Sequence, residues 1–241
     1  MGSRVSPAAG RQRRKSTKTG VILDEEMIVT TALRMVEEHG PAGLSTRRLG
    51  RALGADHTAI YRYFRNMDEL KLALTDELIA RVTQSWQPTG DWEADLRRWG
   101  LSAHAEYMKH PQTARISATR ISGLPAELAA VDTILATLRG AGFSDVQAVT
   151  YYQCFITQML SYAAWDGTKK LMPQKEREAD IARWKGVYAQ ASAEHYPHIA
   201  ATSELMGQLK GLDTYPLALQ ILLDSMRATL AHTRYGTPVR K

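Results

Sequence analysis

Apolar residues recur at helical spacing through almost the whole chain, and no strand-like alternation of period two survives among them. Ile28, Ala32, Met35 and Val36 mark one face of a helix from Asp24 to Glu38. Asp24, Glu25 and Glu26 suit its positive end, and Gly40-Pro41 stops it. Ser45 can cap a second helix that buries Leu49, Ala52 and Leu53 and ends at Gly54. Asp56 can cap a third, short helix running to about Phe64, with Ala59, Ile60 and Phe64 facing inward. After a break at Asn66, Asp68 caps a long fourth helix through Leu70, Leu74, Leu78 and Val82.

The remainder reads as helical over roughly 91–109, 112–120, 125–140, 144–165, 174–194 and 214–233. Breaks are expected at Pro111, Gly123, Gly140, Gly167, Pro173, Pro197 and Gly211. The pattern predicts an all-α chain in three parts: a disordered basic arm over 1–20, a helix-turn-helix domain over 21–67, and a helical domain over 68–241.

Charge sharpens this picture. The net charge is +6, and residues 1–20 alone carry Arg4, Arg11, Arg13, Arg14, Lys15 and Lys18 with no acid. Residues 44–72 add a further excess of three bases, while everything after residue 72 sums to +1. A basic end beside a near-neutral body points to a polyanion partner at that end. The arm is either a solvated leader or a phosphate-tracking element. The 44% hydrophobic content supports a core, yet no run approaches the ~18 apolar residues of a membrane span. The first twenty residues lack the apolar stretch of a secretory signal. With Cys154 as the sole cysteine, a disulfide framework and a cysteine zinc cluster are excluded. A cytoplasmic protein is expected.

The third helix carries the candidate chemistry. Its outward positions, His57, Thr58, Tyr61 and Arg62, are donors and acceptors that pack poorly in a core. Early and outward residues of such a helix face base edges in a major groove, which assigns His57, Thr58 and Arg62 to base readout. Thr46 and Arg47, at the positive end of the second helix, are placed to grip phosphates. For His57 the competing role is an ordinary surface histidine, and for each tyrosine a core aromatic.

Residues 24–78 resemble the DNA-binding segment of the TetR (tetracycline-repressor) family. The resemblance is carried by Leu44 through Gly54, by the run Ile60-Tyr61-Arg62-Tyr63-Phe64, and by Asp68-Glu69-Leu70 behind it. A weaker likeness to the tetracycline-repressor branch runs through Met108 to Pro111, Thr119-Arg120, Gly142-Phe143 and Tyr215 through Asp224. The resemblance implies a cytoplasmic homodimeric repressor that binds palindromic operator DNA and is released by a small-molecule effector. It also implies that Tyr61 and Tyr63 hold phosphates. An activator or architectural regulator without a ligand is the alternative. Two departures stand out. Met67 occupies a place where that branch typically has lysine, and Ser117 occupies the place of a histidine that binds drug-bound magnesium. A magnesium–tetracycline effector is therefore not expected, and no cofactor or metal is implied.

The resemblance also tips two apolar stripes toward a dimer seam, although either suits intrachain core equally well. Val149, Tyr152, Ile156, Met159 and Ala163 form a heptad-like row. Leu219, Leu222, Leu223, Met226 and Leu230 form a wide face on the last helix. Candidate effector-binding residues are Trp99, His104, Tyr107, Arg120, Tyr151, Gln158 and Trp165, large or amphipathic side chains on helices expected to surround a cavity. The stretch from Trp165 to Trp184 is a candidate lid. No phosphate loop, His-Glu-x-x-His or Gly-x-Ser-x-Gly is present, and Cys154 sits on an apolar stretch where a buried structural thiol is expected. An enzyme is not expected.

Overall fold

A computed structural model describes residues 23–209 and 212–235. The basic arm and the expected break at Gly211 lie outside the described residues. Every regular element among the described residues is helical, and the chain divides into two compact units at Leu74/Thr75. The division falls inside one helix, α3 (Met67–Ser85), which begins in the first unit and ends in the second.

In the first unit, α1 (Glu25–His39) is capped by the Asp24 carboxylate, which accepts from the Met27 amide at 2.8 Å. It buries Ile28, Val29, Ala32, Leu33, Met35 and Val36, and ends where Gly40 takes φ 71°. A short 3₁₀ turn over Pro41–Gly43 leads to α2 (Thr46–Ala52), capped by Ser45. Leu49 of α2, together with Ile60, Phe64 and Leu70, completes the small core against α1.

The expected third, short helix is a 3₁₀ helix over His57–Arg62. Asp56 accepts from both the Thr58 amide (2.8 Å) and the Thr58 hydroxyl (2.6 Å), which winds the entry tightly. Thr58, Ile60 and Tyr61 are weak helix formers, and a six-residue piece is short enough for 3₁₀ geometry to persist.

The second unit is built around α7 (Asp145–Leu171), which packs against α4 (Trp92–Lys109), α5 (Pro111–Ser117), α6 (Pro125–Ala141) and α10 (Tyr215–Tyr235). Its start is fixed by a capping box between Ser144 and Gln147. Leu96, Trp99, Ile134, Leu138, Phe155, Met159, Leu219 and Leu223 form the centre of its core. Two expected breaks move. The helix expected to stop at Gly140 ends at the left-handed Gly142, φ 103°. The break expected at Gly167 is absent, because α7 runs on to Leu171. Gly167 is instead a point of close approach, where an added Cβ would stand 3.2 Å from the Pro111 carbonyl oxygen.

Two further helices, α8 (Gln174–Val187) and α9 (Pro197–Gln208), bury no side chain. The first is shorter than the expected 174–194, and the second falls where no helix is expected. Without a buried face, α9 has no clear apolar stripe for a periodicity reading to find.

Candidate nucleic-acid interface and effector cavity

The first unit presents its recognition turn by a tight crossing. Gly50 lets α2 approach the next turn so closely that a Cβ there would stand 2.9 Å from His57 Cα and 3.0 Å from the Ala55 carbonyl oxygen. The turn so held leaves His57, Thr58, Tyr61 and Arg62 exposed, with Arg47 exposed and Thr46 half-buried at the start of α2. Tyr61 is 49% exposed, far above what a core aromatic shows. Among the described residues, Arg47, Arg51 and Arg62 belong to no ion pair, so their charge is available to an outside anion.

Not every polar group in this unit is free. Tyr63 is half-buried and its hydroxyl donates to the Leu23 carbonyl, tying the chain ahead of α1 to the recognition turn. A phosphate contact from the Tyr63 donor competes with that bond. Arg48 donates to the Gly43 carbonyl at 3.1 Å and so braces the loop before α2. His57 Nδ1 lies 3.6 Å from the Asp56 carboxylate, a partner that holds the ring near the start of the turn.

The second unit contains a cavity walled by five helices and the α5–α6 connection. Thr75, Ile79 and Val82 of α3 form one side, and Trp99, Ala103 and Tyr107 of α4 the next. Ala130, Val131 and Ile134 of α6 face Tyr152, Ile156, Met159 and Leu160 of α7, and Ser117, Arg120 and Glu127 contribute polar atoms. The free space is about 40 Å³, room for a few waters. That is well below the ~300–1,000 Å³ of a site enclosing a drug-sized molecule.

The polar groups at its rim are mostly engaged. The Ser117 hydroxyl donates back to the Thr113 carbonyl (3.1 Å) and accepts from the Thr75 hydroxyl (3.0 Å), fastening α5 to α3. Asp76 accepts from the Ala126 and Glu127 amides and so caps α6. Glu127 in turn accepts from the Ser122 hydroxyl at 2.6 Å and the Gly123 amide at 2.7 Å. Tyr107 is fully buried, and burial pushes its hydroxyl up to about 12, while a hydrogen-bonding contact with Ser117 acts in the opposite sense.

Of the residues expected to meet the effector, Trp99, Tyr107 and Arg120 line this cavity. The other four hold helices together or stand in solvent. His104 pairs with Asp166 at 3.0 Å and stacks on Tyr215 with ring centroids 4.5 Å apart. Tyr151 bonds to Thr229, and Gln158 donates to the Ala218 carbonyl. Trp165 is exposed beneath Lys169, and Trp184 stacks on Tyr188. Thr75, Ile79 and Val82 were legible only as an i, i+4, i+7 face of a helix, a signal equally consistent with plain core.

The expected seam is largely internal. Met159, Leu219, Leu223, Met226 and Leu230 are buried within their own chain, and Tyr152 and Ile156 face the cavity. A side chain already packed inside one chain has little area left for a second, which applies to the five buried residues, while Tyr152 and Ile156 are half-buried. Leu222 is half-buried, and Val149 remains exposed. Among the described residues, the large apolar side chains exposed on these two helices are Val146, Val149 and Trp165 on α7 and Leu217 and Ile221 on α10. Cys154, expected to be buried, is exposed.

Among the described residues no cluster of three potential metal ligands occurs, and no helix is long and apolar enough to cross a membrane.

Comparison with known proteins matches the model of bacterial regulatory proteins of the tetR family to residues 28–74. The model of the tetracyclin repressor-like C-terminal domain matches residues 86–230. The HTH-type transcriptional repressor DrrR1 of Streptomyces coeruleorubidus is 25% identical over 236 residues, covering 93% of this chain and 84% of that protein. A possible TetR family regulator from Streptomyces coelicolor A3(2) superimposes with a TM-score of 0.71 at 26% identity, covering 86% of this chain and all of that one. The ActR protein of Streptomyces coelicolor, solved in complex with actinorhodin, shares the fold with a TM-score of 0.75 at 22% identity over 86% of this chain and 98% of its own.

Proposed function

The chain belongs to the TetR family of transcriptional regulators, and from that premise we propose that it is a homodimeric repressor that binds palindromic operator DNA and leaves it when a small molecule enters the cavity. The observation that carries the DNA half is the exposed turn of Thr58, Tyr61 and Arg62 with unpaired Arg47 beside it. Arg62 reads a base edge, with His57 and Thr58 beside it. Arg47, Thr46 and the Tyr61 hydroxyl hold the phosphates. One such turn reads few base pairs, so two copies related by a two-fold axis are required. Val149 of α7 and Leu217 and Ile221 of α10 supply the apolar part of that seam. Ile221→Glu should convert the dimer to monomer in sedimentation at micromolar concentration.

The size of the cavity supports the sensing half. A ligand of ordinary size has no room in about 40 Å³, so it binds only a form in which the walls have moved apart. That difference in affinity between two forms is what a release mechanism requires. Helix α3 supplies one wall and continues as the last helix of the first unit. Coupling is reciprocal, so saturating operator lowers ligand affinity by the factor by which ligand lowers operator affinity.

The test is a reporter driven by the promoter beside the protein's own gene, measured with and without the protein and with an organic extract of the native culture. Repression relieved by extract is expected. Activation by the protein, or repression that no extract relieves, would contradict the proposal.

A further inference from the structure

Two buried polar atoms at the junction of α4, α7 and α10 are unpaired, and one can donate what the other accepts. The Tyr215 hydroxyl makes no hydrogen bond within the chain, although the residue is only 1% exposed. Gln158 uses its amide nitrogen on the Ala218 carbonyl at 3.1 Å, but its amide oxygen is buried without a partner. An apolar side chain of the same shape would avoid the cost of either.

The two atoms share one neighbourhood. Ala218 follows Tyr215 by three residues on α10, and Tyr162, one turn beyond Gln158 on α7, sets its ring against Tyr215 with centroids 5.4 Å apart. The Tyr215 ring also stacks on His104 at 4.5 Å, and His104 is tied to Asp166 at 3.0 Å. The ring is thus held, while its hydroxyl is closed over by α4. A Cβ at Gly100 would stand 2.8 Å from the Tyr215 oxygen and 3.2 Å from the Phe155 ring, and Phe155 lies one turn ahead of Gln158. Helix α4 also walls the cavity through Trp99 and Ala103, and Gly100 and His104 are the next positions along it. A molecule that parts the cavity walls by shifting α4 therefore lifts Gly100 away from the Tyr215 hydroxyl.

Resting on the effector-cavity reading above, we propose that Tyr215 and Gln158 are positioning residues for release: packing of α4 at Gly100 keeps them unpaired in the closed form, and when α4 withdraws the Tyr215 hydroxyl donates to the Gln158 amide oxygen. The closed form carries two unpaired groups and the open form none, so the pair eases opening without touching the effector. It serves any molecule that parts the walls.

Exchange of the Trp99 indole N–H with deuterium, followed by NMR on the full chain without DNA or effector, reads the opening, because that N–H is buried on the cavity wall and makes no hydrogen bond. Trp99→Phe identifies its signal among the five tryptophans. Tyr215→Phe should slow the exchange about tenfold, and Gln158→Met should slow it by a similar factor. The double variant should be no slower than either, since each change alone abolishes the pair. In urea unfolding the same two changes should add, because the groups are unpaired in both the closed and the unfolded chain. Tyr215→Phe removes one oxygen and should keep the fold, so it stands as a test even if the Gln158 variant fails to fold. An exchange rate unchanged by Tyr215→Phe, or slowings that multiply in the double variant, would overturn the proposal and leave the opening cavity standing. Exchange of Trp99 only at the rate of global unfolding would overturn the opening cavity and the proposal together.

Discussion

Thr58, Tyr61 and Arg62 stand in solvent on a six-residue turn of the first unit, while Trp99 and Tyr107 carry polar atoms into the closed interior of the second. On the turn, Thr58 donates to Asp56 and water satisfies the exposed Tyr61 and Arg62 donors until an anion arrives, so readiness costs little. In the cavity, water has scant room, and a buried donor without an acceptor, the Trp99 indole N–H, weakens the empty state relative to a filled one. The first site is therefore built by exposure and held by packing beneath it. The second is built by burial, and its polar atoms define what it accepts. A residue's contribution in this protein depends on which of these two economies of water it belongs to.

The support beneath the turn is where that contrast breaks most completely. Gly50→Val places a side chain where even a Cβ meets the His57 backbone at 2.9 Å. It should cost the first unit about 3 kcal/mol and lower operator affinity at least ~100-fold. Circular dichroism and operator titration measure the two effects, and the second unit should keep its own unfolding transition.

The second prediction concerns a buried charge in the larger unit. Asp95 is 1% exposed, and its carboxylate accepts from the Thr89 amide and hydroxyl, the Gly90 amide and Arg98. Burial alone would raise its pKa, but the bonds from Thr89, Gly90 and Arg98 outweigh burial and hold it below the usual carboxylate range. The unfolded chain thus binds the proton more readily. The stabilisation is complete above the unfolded pKa of about 4 and is lost as pH falls through the lower folded value. Asp95→Asn should destabilise by about 1–3 kcal/mol at neutral pH and flatten the acid limb of urea midpoints below about pH 4. An acid limb unchanged in that variant would place the sensitivity elsewhere.

On the exposed turn the expected effects are smaller and differ in kind. Arg62→Ala should cost about 1–3 kcal/mol on the matched site and relax preference at one base pair. Arg47→Ala should weaken all sequences alike and reduce the salt slope by about one. Identical behaviour of the two variants would collapse the division between reading and gripping. The smallest effect belongs to Tyr63→Phe, which loses the bond to the Leu23 carbonyl and should lower stability by about 1 kcal/mol in chemical unfolding.

The same contrast explains what could be read from the chain alone. The recognition turn is local: Ser45, Gly50, Gly54, Asp56 and the exposed run that follows lie within twenty residues, so spacing and capping chemistry locate it. Even there, the 3₁₀ winding set by Asp56 and the use of the Tyr63 hydroxyl inside the unit are tertiary facts. The cavity is assembled from residues between Thr75 and Leu160, and each contributes one helical face that looks like any core face. Trp99 and Tyr107 were identifiable as large amphipathic side chains. His104, Tyr151 and Gln158 carry the same signature yet spend their polar atoms joining helices. The apolar stripes of α7 and α10 had the correct period, but period does not say whether a stripe meets its own chain or another. Leu219, Leu223 and Met226 meet their own.

Fluorescence anisotropy with the DNA flanking the protein's own gene, at two salt concentrations and against scrambled competitor, tests the central claim most directly. Tight binding of two chains to a palindromic site, resistant to competitor at both salts, is expected. Weak binding that scrambled DNA displaces equally well, and that vanishes at the higher salt, would mean that charge alone is acting and would contradict operator recognition by the exposed turn.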